Sequence, residues 1–198
     1  FKTIKEVSEA RQFLCLACIQ PSTEQVIAEM RELDDLSPDY IVAVTPYYGM
    51  ADQEAIYNHF MQIADASQSP LILYSIPPCT HNVIELPTIN RLSAHPNIIG
   101  IKDSTGDFMG FSRSILARES GRGTAKDFKW IMGEDYLDSA ALFLGADALV
   151  SGLSNIRAEP YTAMFNAAKE ERWEDVRSMQ EKINTLYDTV KSFRAGLL

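Results

Sequence analysis

Lys102 closes the apolar run Asn97-Ile98-Ile99-Gly100-Ile101-Lys102, and Asp103-Ser104-Thr105-Gly106-Asp107 follows at once. An isoleucine-rich run ended by Ser, Thr, Gly and Asp reads as a short buried strand with its loop. An ammonium at the end of such a strand carries a desolvation cost unless it is paired or deprotonated. Neutral, the lysine is a nucleophile that attacks a carbonyl and forms a Schiff base. Charged, it leaves the core and snorkels into solvent. Free lysine titrates near ~10.4, so lowering it to ~7.5 takes on the order of 4 kcal/mol, within reach of burial. Alternation along the strand places Asp103 on the opposite face, where it does not quench the amine. Ser104 returns to the lysine side, either to hydrogen-bond a substrate oxygen or to cap the next helix. Counting back, Gly100 and Ile98 share the lysine's face, while Ile99 and Ile101 meet helices. Gly100 either leaves room for a ligand or marks a packing or bulge position.

Other residues with chemical potential lie at the ends of similar runs. Tyr74 ends Leu71-Ile72-Leu73-Tyr74, where an aromatic either fills the core or presents its phenol as a donor and acceptor. Thr45-Pro46-Tyr47-Tyr48 follows the strand ending at Val44, and surface packing alone would account for both tyrosines. Gly133-Glu134-Asp135, Ser151 and Gly152 offer acidic acceptors and small residues, or ordinary loop chemistry at a helix N-terminus. Cys15-Leu16-Ala17-Cys18 has the spacing of a redox or zinc pair. Residues three apart on a strand point to opposite faces, so these thiols are expected not to meet and to be buried structural cysteines. His59, His81 and His95 are scattered without ligand spacing, which argues against a metal site.

Six apolar strand segments alternate with amphipathic helical stretches. The strands are expected at 13–19, 40–45, 71–75, 98–102, 128–132 and 147–151, and the helices at 22–36, 52–67, 85–94, 108–119 and 135–144. Near-continuous apolar strands joined by helices imply an α/β fold with a parallel sheet. Residues 157–198 carry no strand signal and read as C-terminal helices. No low-complexity linker divides the chain, so residues 1–198 are read as a single domain. The 198 residues are 46% hydrophobic and 23% charged, an ordinary composition for a water-soluble domain. A net charge of -9 disfavours nucleic acid as a partner. No apolar run is long enough for a membrane span, and no signal-peptide pattern opens the chain. Three cysteines, an odd number, suggest a reducing, cytoplasmic compartment.

Gly100-Ile101-Lys102-Asp103-Ser104-Thr105-Gly106-Asp107 resembles the Schiff-base strand of the N-acetylneuraminate lyase and dihydrodipicolinate synthase family. Thr45-Pro46-Tyr47-Tyr48, Leu73-Tyr74-Ser75-Ile76-Pro77, Gly133-Glu134-Asp135 and the stretch from Leu144 to Ile156 resemble further segments of that family, in the same order. The resemblance implies a (β/α)8 TIM barrel, here lacking its first two βα units, with strands 3 to 8 in residues 1–156. A closed barrel needs eight strands and typically about 250 residues. The sequence is therefore expected to be an incomplete record of a longer protein, the other reading being an arc covered by another subunit.

The implied activity is that of a class I aldolase or lyase joining or cleaving pyruvate and an aldehyde through an imine on Lys102. Tyr74 is implied beside the Schiff base as a proton relay, and Tyr48 as a residue entering the active site of a neighbouring subunit. Ser104, Gly133, Glu134, Asp135 and Gly152 are implied around the substrate. No metal or organic cofactor is expected, because the imine withdraws the electrons, and a homotetramer built from dimers is expected. The family's paired hydroxyl residues after the second strand have no counterpart in the chain. Cys79 stands where dihydrodipicolinate synthases carry an arginine that clamps a second carboxylate. The first departure leaves the site of this chain incomplete; the second, with the acidic acceptors Glu134 and Asp135, favours a 2-keto-3-deoxy sugar acid or sialic-acid-like substrate, with dihydrodipicolinate synthase as the alternative. A non-catalytic paralogue with an incomplete site is the further alternative.

Overall fold

The computed structural model describes residues 2–8 and 12–195. Six parallel strands form one sheet in chain order: β1 (Cys15–Cys18), β2 (Tyr40–Val44), β3 (Leu71–Ser75), β4 (Ile98–Asp103), β5 (Lys129–Met132) and β6 (Ala148–Leu149). The sheet is open, since β1 and β6 each have a single strand neighbour among the described residues. The helices are α1 (Lys2–Ser8), α2 (Thr23–Leu33), α3 (Gln53–Ala66), α4 (Pro77–Thr80), α5 (Leu86–Leu92), α6 (Phe108–Glu119), α7 (Asp138–Phe143), α8 (Glu159–Lys169) and α9 (Trp173–Ala195). None of them is long and apolar enough to cross a membrane.

The expected strands and connecting helices are present, with two adjustments. Pro77 and Pro78 open the short helix α4, because a missing N–H and a fixed φ cost nothing in a first helical turn. β6 contributes only two residues to the ladder, fewer than the expected 147–151. Capping explains where the longer helices begin. Asp52 accepts a hydrogen bond from the Ala55 N–H at 2.8 Å and opens α3; Asp107 accepts from the Gly110 N–H at 2.9 Å and opens α6.

Helices cover one face of the sheet; the other is the bare face, on which Val44, Ile72 and Ile131 are nonetheless buried among the described residues. Leu16, Cys18, Ile41, Ala43, Leu71, Leu73, Ile98, Ile101, Trp130 and Met132 join residues of α2, α3, α5 and α6 in the main core. A second cluster, around Leu142, Tyr161, Met164, Val176 and Ile183, packs α8 and α9 against α7. On the bare face Cys15 is exposed, while Val42, Tyr74 and Lys102 are half-buried.

The two β1 thiols do lie on opposite faces, but only Cys18 is buried; its burial, with Glu29 nearby, pushes the thiol up to about 12. Cys15 is exposed, as is Cys79, which corrects the expectation that both thiols of the pair are buried. A second correction concerns Ile98. Leu71 pairs with Ile98 but Ile72 pairs with Gly100, so Ile99 is an extra residue in β4. That bulge reverses the alternation and turns Ile98 into the core beside Ile101 instead of toward Lys102. A pattern of period two cannot anticipate an inserted residue.

Candidate active site

Lys102 and Tyr74 are register partners at the C-terminal ends of β4 and β3, both on the bare face. The Lys102 Nζ lies 4.1 Å from the centroid of the Tyr74 ring. The face of an aromatic ring is negative, so it favours a cation above it, whether ammonium or iminium. The nitrogen therefore points away from the helix layer, as the alternation predicts. It sits over a ring on an open face rather than in an enclosed dry cavity.

Glycine at 133 is what brings β5 and its loop up to the amine. A Cβ there would lie 2.9 Å from Lys102 Cε, 3.0 Å from the Asp103 carbonyl oxygen and 2.1 Å from Ser104 Oγ. Gly100 does a different job. A Cβ at 100 would lie 2.6 Å from the Lys129 carbonyl oxygen, so this glycine serves the approach of β5 and not a ligand. Ser104 is buried on the lysine side, and its hydroxyl donates to the Gly133 carbonyl at 3.4 Å. It does not cap α6, a role taken by Asp107.

Asp103 points to the helix-covered face, where it accepts from the Thr105 N–H at 2.8 Å. Burial raises its carboxyl above the ordinary range. Glu134 is half-buried and is also raised, first by burial, then by Asp135 and Asp103, while the Lys102 ammonium pulls it down. Glu134 is thus the carboxylate that shares an electrostatic environment with the amine.

Asp135 behaves otherwise. It is 9% exposed, and its Oδ1 accepts from the Tyr161 hydroxyl and from the Leu153 N–H at 3.2 Å. Gln180 adds a bond from Nε2 to the Asp135 carbonyl at 2.8 Å. Asp135 is therefore a brace through which α8 and α9 hold the Gly133–Asp135 loop, closer to the loop reading than to that of an open acceptor. Gly152 flanks this brace, 3.8 Å from Asp135 Oδ2 to a Cβ built there. Ser151 is likewise unavailable, being buried against Asp138.

Sequence reasoning missed Tyr161, Gln180 and Asp138. The Tyr161–Asp135 contact spans 26 positions and the Gln180 contact 45, and no local pattern signals either.

Asp138 is fully buried, with Ser151 Oγ 2.8 and 3.0 Å from its two oxygens. Burial, aided by Asp135 and Glu134, pushes this carboxyl up to about 8, despite the lowering effect of Ser151. One hydroxyl proton cannot serve both oxygens. A protonated carboxyl resolves this by donating to Ser151 while accepting from it. A raised folded-state pKa means the native chain holds a proton that the unfolded chain releases near ~4. This contribution to stability is complete below that value and is lost as pH rises through about 8. Asp138→Asn is expected to flatten the fall in melting temperature across that window, and an unchanged slope contradicts the assignment.

Tyr48 is not brought to Lys102 within the chain; its side chain is 100% exposed and its φ is 79°. Cys79 is also exposed. Among the described residues no three His, Cys, Asp or Glu side chains are grouped to share a metal ion.

The model of the dihydrodipicolinate synthetase family matches residues 20–195. The chain belongs to that family. Relatives include 4-hydroxy-tetrahydrodipicolinate synthase 2 of Clostridium acetobutylicum, 33% identical over 165 residues that cover 80% of this chain and 56% of the relative. The 4-hydroxy-tetrahydrodipicolinate synthase of Pseudomonas putida is 34% identical over 166 residues, covering 84% and 55%. Among solved structures, a chloride-inhibited dihydrodipicolinate synthase of Acinetobacter baumannii, complexed with pyruvate, superposes with a TM-score of 0.85 at 30% identity. It covers 94% of this chain and 62% of the other. The chain thus spans a little over half the length of these members of the dihydrodipicolinate synthetase family.

Proposed function

We propose that this chain carries the imine-forming half of a class I aldolase acting on pyruvate and an aldehyde. The observation that carries the reading is the Lys102 amine poised 4.1 Å over the Tyr74 ring at the ends of adjacent strands. The pyruvate complex of the Acinetobacter baumannii relative supports pyruvate as the keto acid. In this reading the six strands are the third to eighth of a closed (β/α)8 barrel.

Neutral Lys102 adds to the C2 ketone of pyruvate, and loss of water from the carbinolamine gives an iminium. That cation withdraws electrons as a C3 proton leaves, and the resulting enamine attacks the aldehyde, whose oxygen takes up a proton. Water then hydrolyses the product iminium to release the keto acid and free Lys102; cleavage runs the same steps backwards. The Tyr74 hydroxyl relays the protons. The ring face favours the iminium as it favours the ammonium, so the covalent step forfeits none of that attraction. No metal or organic cofactor enters this scheme. Tyr48 and the nearby Met50, 88% exposed, suit a loop that enters a second copy of the chain within a tetramer.

For the aldehyde, Glu134 is a half-buried carboxylate that feels the charge of the amine, and Cys79 supplies no guanidinium for a second carboxylate. Both suit an uncharged, hydroxylated aldehyde of the kind released from a 2-keto-3-deoxy sugar acid. The names of the relatives favour a second reading, synthesis of 4-hydroxy-tetrahydrodipicolinate from an anionic semialdehyde. Following pyruvate consumption against both aldehyde types decides between them. Faster turnover with the hydroxylated set supports the first reading, and exclusive use of the semialdehyde replaces it with the second. Cys79→Ala is expected to leave turnover within about twofold, as for an exposed residue outside the machinery. A large loss overturns the reading of that position.

A further inference from the structure

The loop from Pro46 to Ala51 joins β2 to α3 and presents Tyr48. The left-handed φ of 79° at Tyr48 is costly for a bulky residue, on the order of 1–3 kcal/mol, and persists only where surroundings impose it. The Tyr48 side chain is wholly exposed, so its own packing does not impose it. The constraint comes from Asn82, which is 3% exposed. Its Nδ2 donates to the Pro46 carbonyl at 2.8 Å and the Gly49 carbonyl at 3.0 Å, one on each side of Tyr47-Tyr48. A third contact from Nδ2 reaches the Thr80 carbonyl at 3.2 Å, and Oδ1 accepts from the Ala51 N–H at 2.9 Å.

The anchor beneath this clip is equally buried. Thr80 Oγ1 donates to the Asn82 carbonyl at 3.2 Å, and Thr45 Oγ1 lies 2.8 Å from Thr80 Oγ1. Thr45 and Thr80 are 0% and 2% exposed. Thr45 follows β2, and Thr80 ends α4, which follows the strand bearing Tyr74. The Tyr48 loop is thereby fixed to the framework that carries Tyr74, through one side-chain amide that uses donors and acceptor at once.

We propose that Asn82 is a positioning residue: its amide holds the Pro46–Ala51 loop in the single geometry that projects Tyr48 out of the subunit, and turnover depends on Asn82 through Tyr48. The inference rests on the reading of Tyr48 as a group that completes a neighbouring copy's site. A carboxylate or an alkyl group cannot replace the amide, because two carbonyls and one N–H must be met together.

The test is a double-mutant cycle on the full chain with pyruvate and an accepted aldehyde. Asn82→Ala and Tyr48→Phe are each expected to lower kcat on the order of tenfold to 10²-fold, the effect of a misplaced group, with KM for pyruvate little changed. The double variant is expected to be no slower than the slower single variant. Losses that multiply, or an Asn82→Ala enzyme with full turnover, overturn the proposal while leaving the Tyr48 reading intact. Full turnover in Tyr48→Phe alone overturns the Tyr48 reading, and the proposal with it. Should Asn82→Ala not fold, Asn82→Gln keeps the amide but displaces it by one methylene and enters the same cycle. Independently, the Ala51 amide of the unaltered protein is expected to exchange with solvent deuterium as slowly as the amides of β2. Rapid exchange there contradicts the clip.

Discussion

Lys102→Ala is expected to reduce turnover on the order of 10³-fold or more, to the background set by substrate binding alone. The prediction follows from the absence of a substitute nucleophile at the same place. Among the described residues, the other lysine on the sheet is Lys129, whose side chain is 50% exposed and whose Nζ lies 3.2 Å from Asp147 Oδ1. It stands at the far end of β5, opposite Gly100 rather than Lys102. Loss of the contact with the Tyr74 ring costs only about 1–2 kcal/mol of stability, so the variant folds and the loss is chemical. A Lys102→Ala protein that folds and keeps a substantial fraction of its turnover would remove the amine from the mechanism.

Gly133→Ala is expected to be damaging too, though less so, and by a different route. The added methyl would need the space of Ser104 Oγ, 2.1 Å away, and would press on Lys102 Cε and the Asp103 carbonyl. The serine can rotate, but the carbonyl belongs to β4 and receives the Gly133 N–H bond at 2.8 Å. Overpacking of this kind costs about 1–3 kcal/mol and displaces whichever neighbour is softest. Here that neighbour is the lysine side chain, so imine formation is expected to slow on the order of 10²-fold. Melting and turnover measured together separate the two effects. An alanine variant with native turnover would show that the close approach of residue 133 to the amine is not what sets its position.

Much of this arrangement was legible from residue order alone. Ile98–Lys102, Leu71–Tyr74 and Tyr40–Val44 read as buried parallel strands because apolar runs of that length, closed by Ser, Thr, Gly or Pro, have few other fates. That Lys102 and Tyr74 stand side by side came from the family resemblance, because residue order alone leaves Tyr74 equally able to fill the core. The misses have physical causes. The extra residue at Ile99 depends on the pairing between β3 and β4, which neither strand encodes by itself. Gly100 and Gly133 look alike in sequence, yet Lys129 beside the first and the Ser104 and Lys102 side chains beside the second decide what each glycine is for. Residue order leaves Asp135 between an acidic acceptor and a loop residue, because its partners, Tyr161 and Gln180, arrive from helices far along the chain. Asn82 carries no motif at all; its importance is visible only once both sides of the Tyr48 loop are seen to converge on it.

Borohydride reduction in the presence of pyruvate, followed by peptide mass mapping, puts the central claim to its most direct test. A reduced pyruvate adduct is predicted on the peptide that contains Lys102, and on no other. A folded protein that yields no adduct, or one that carries it on Lys129 instead, contradicts the account.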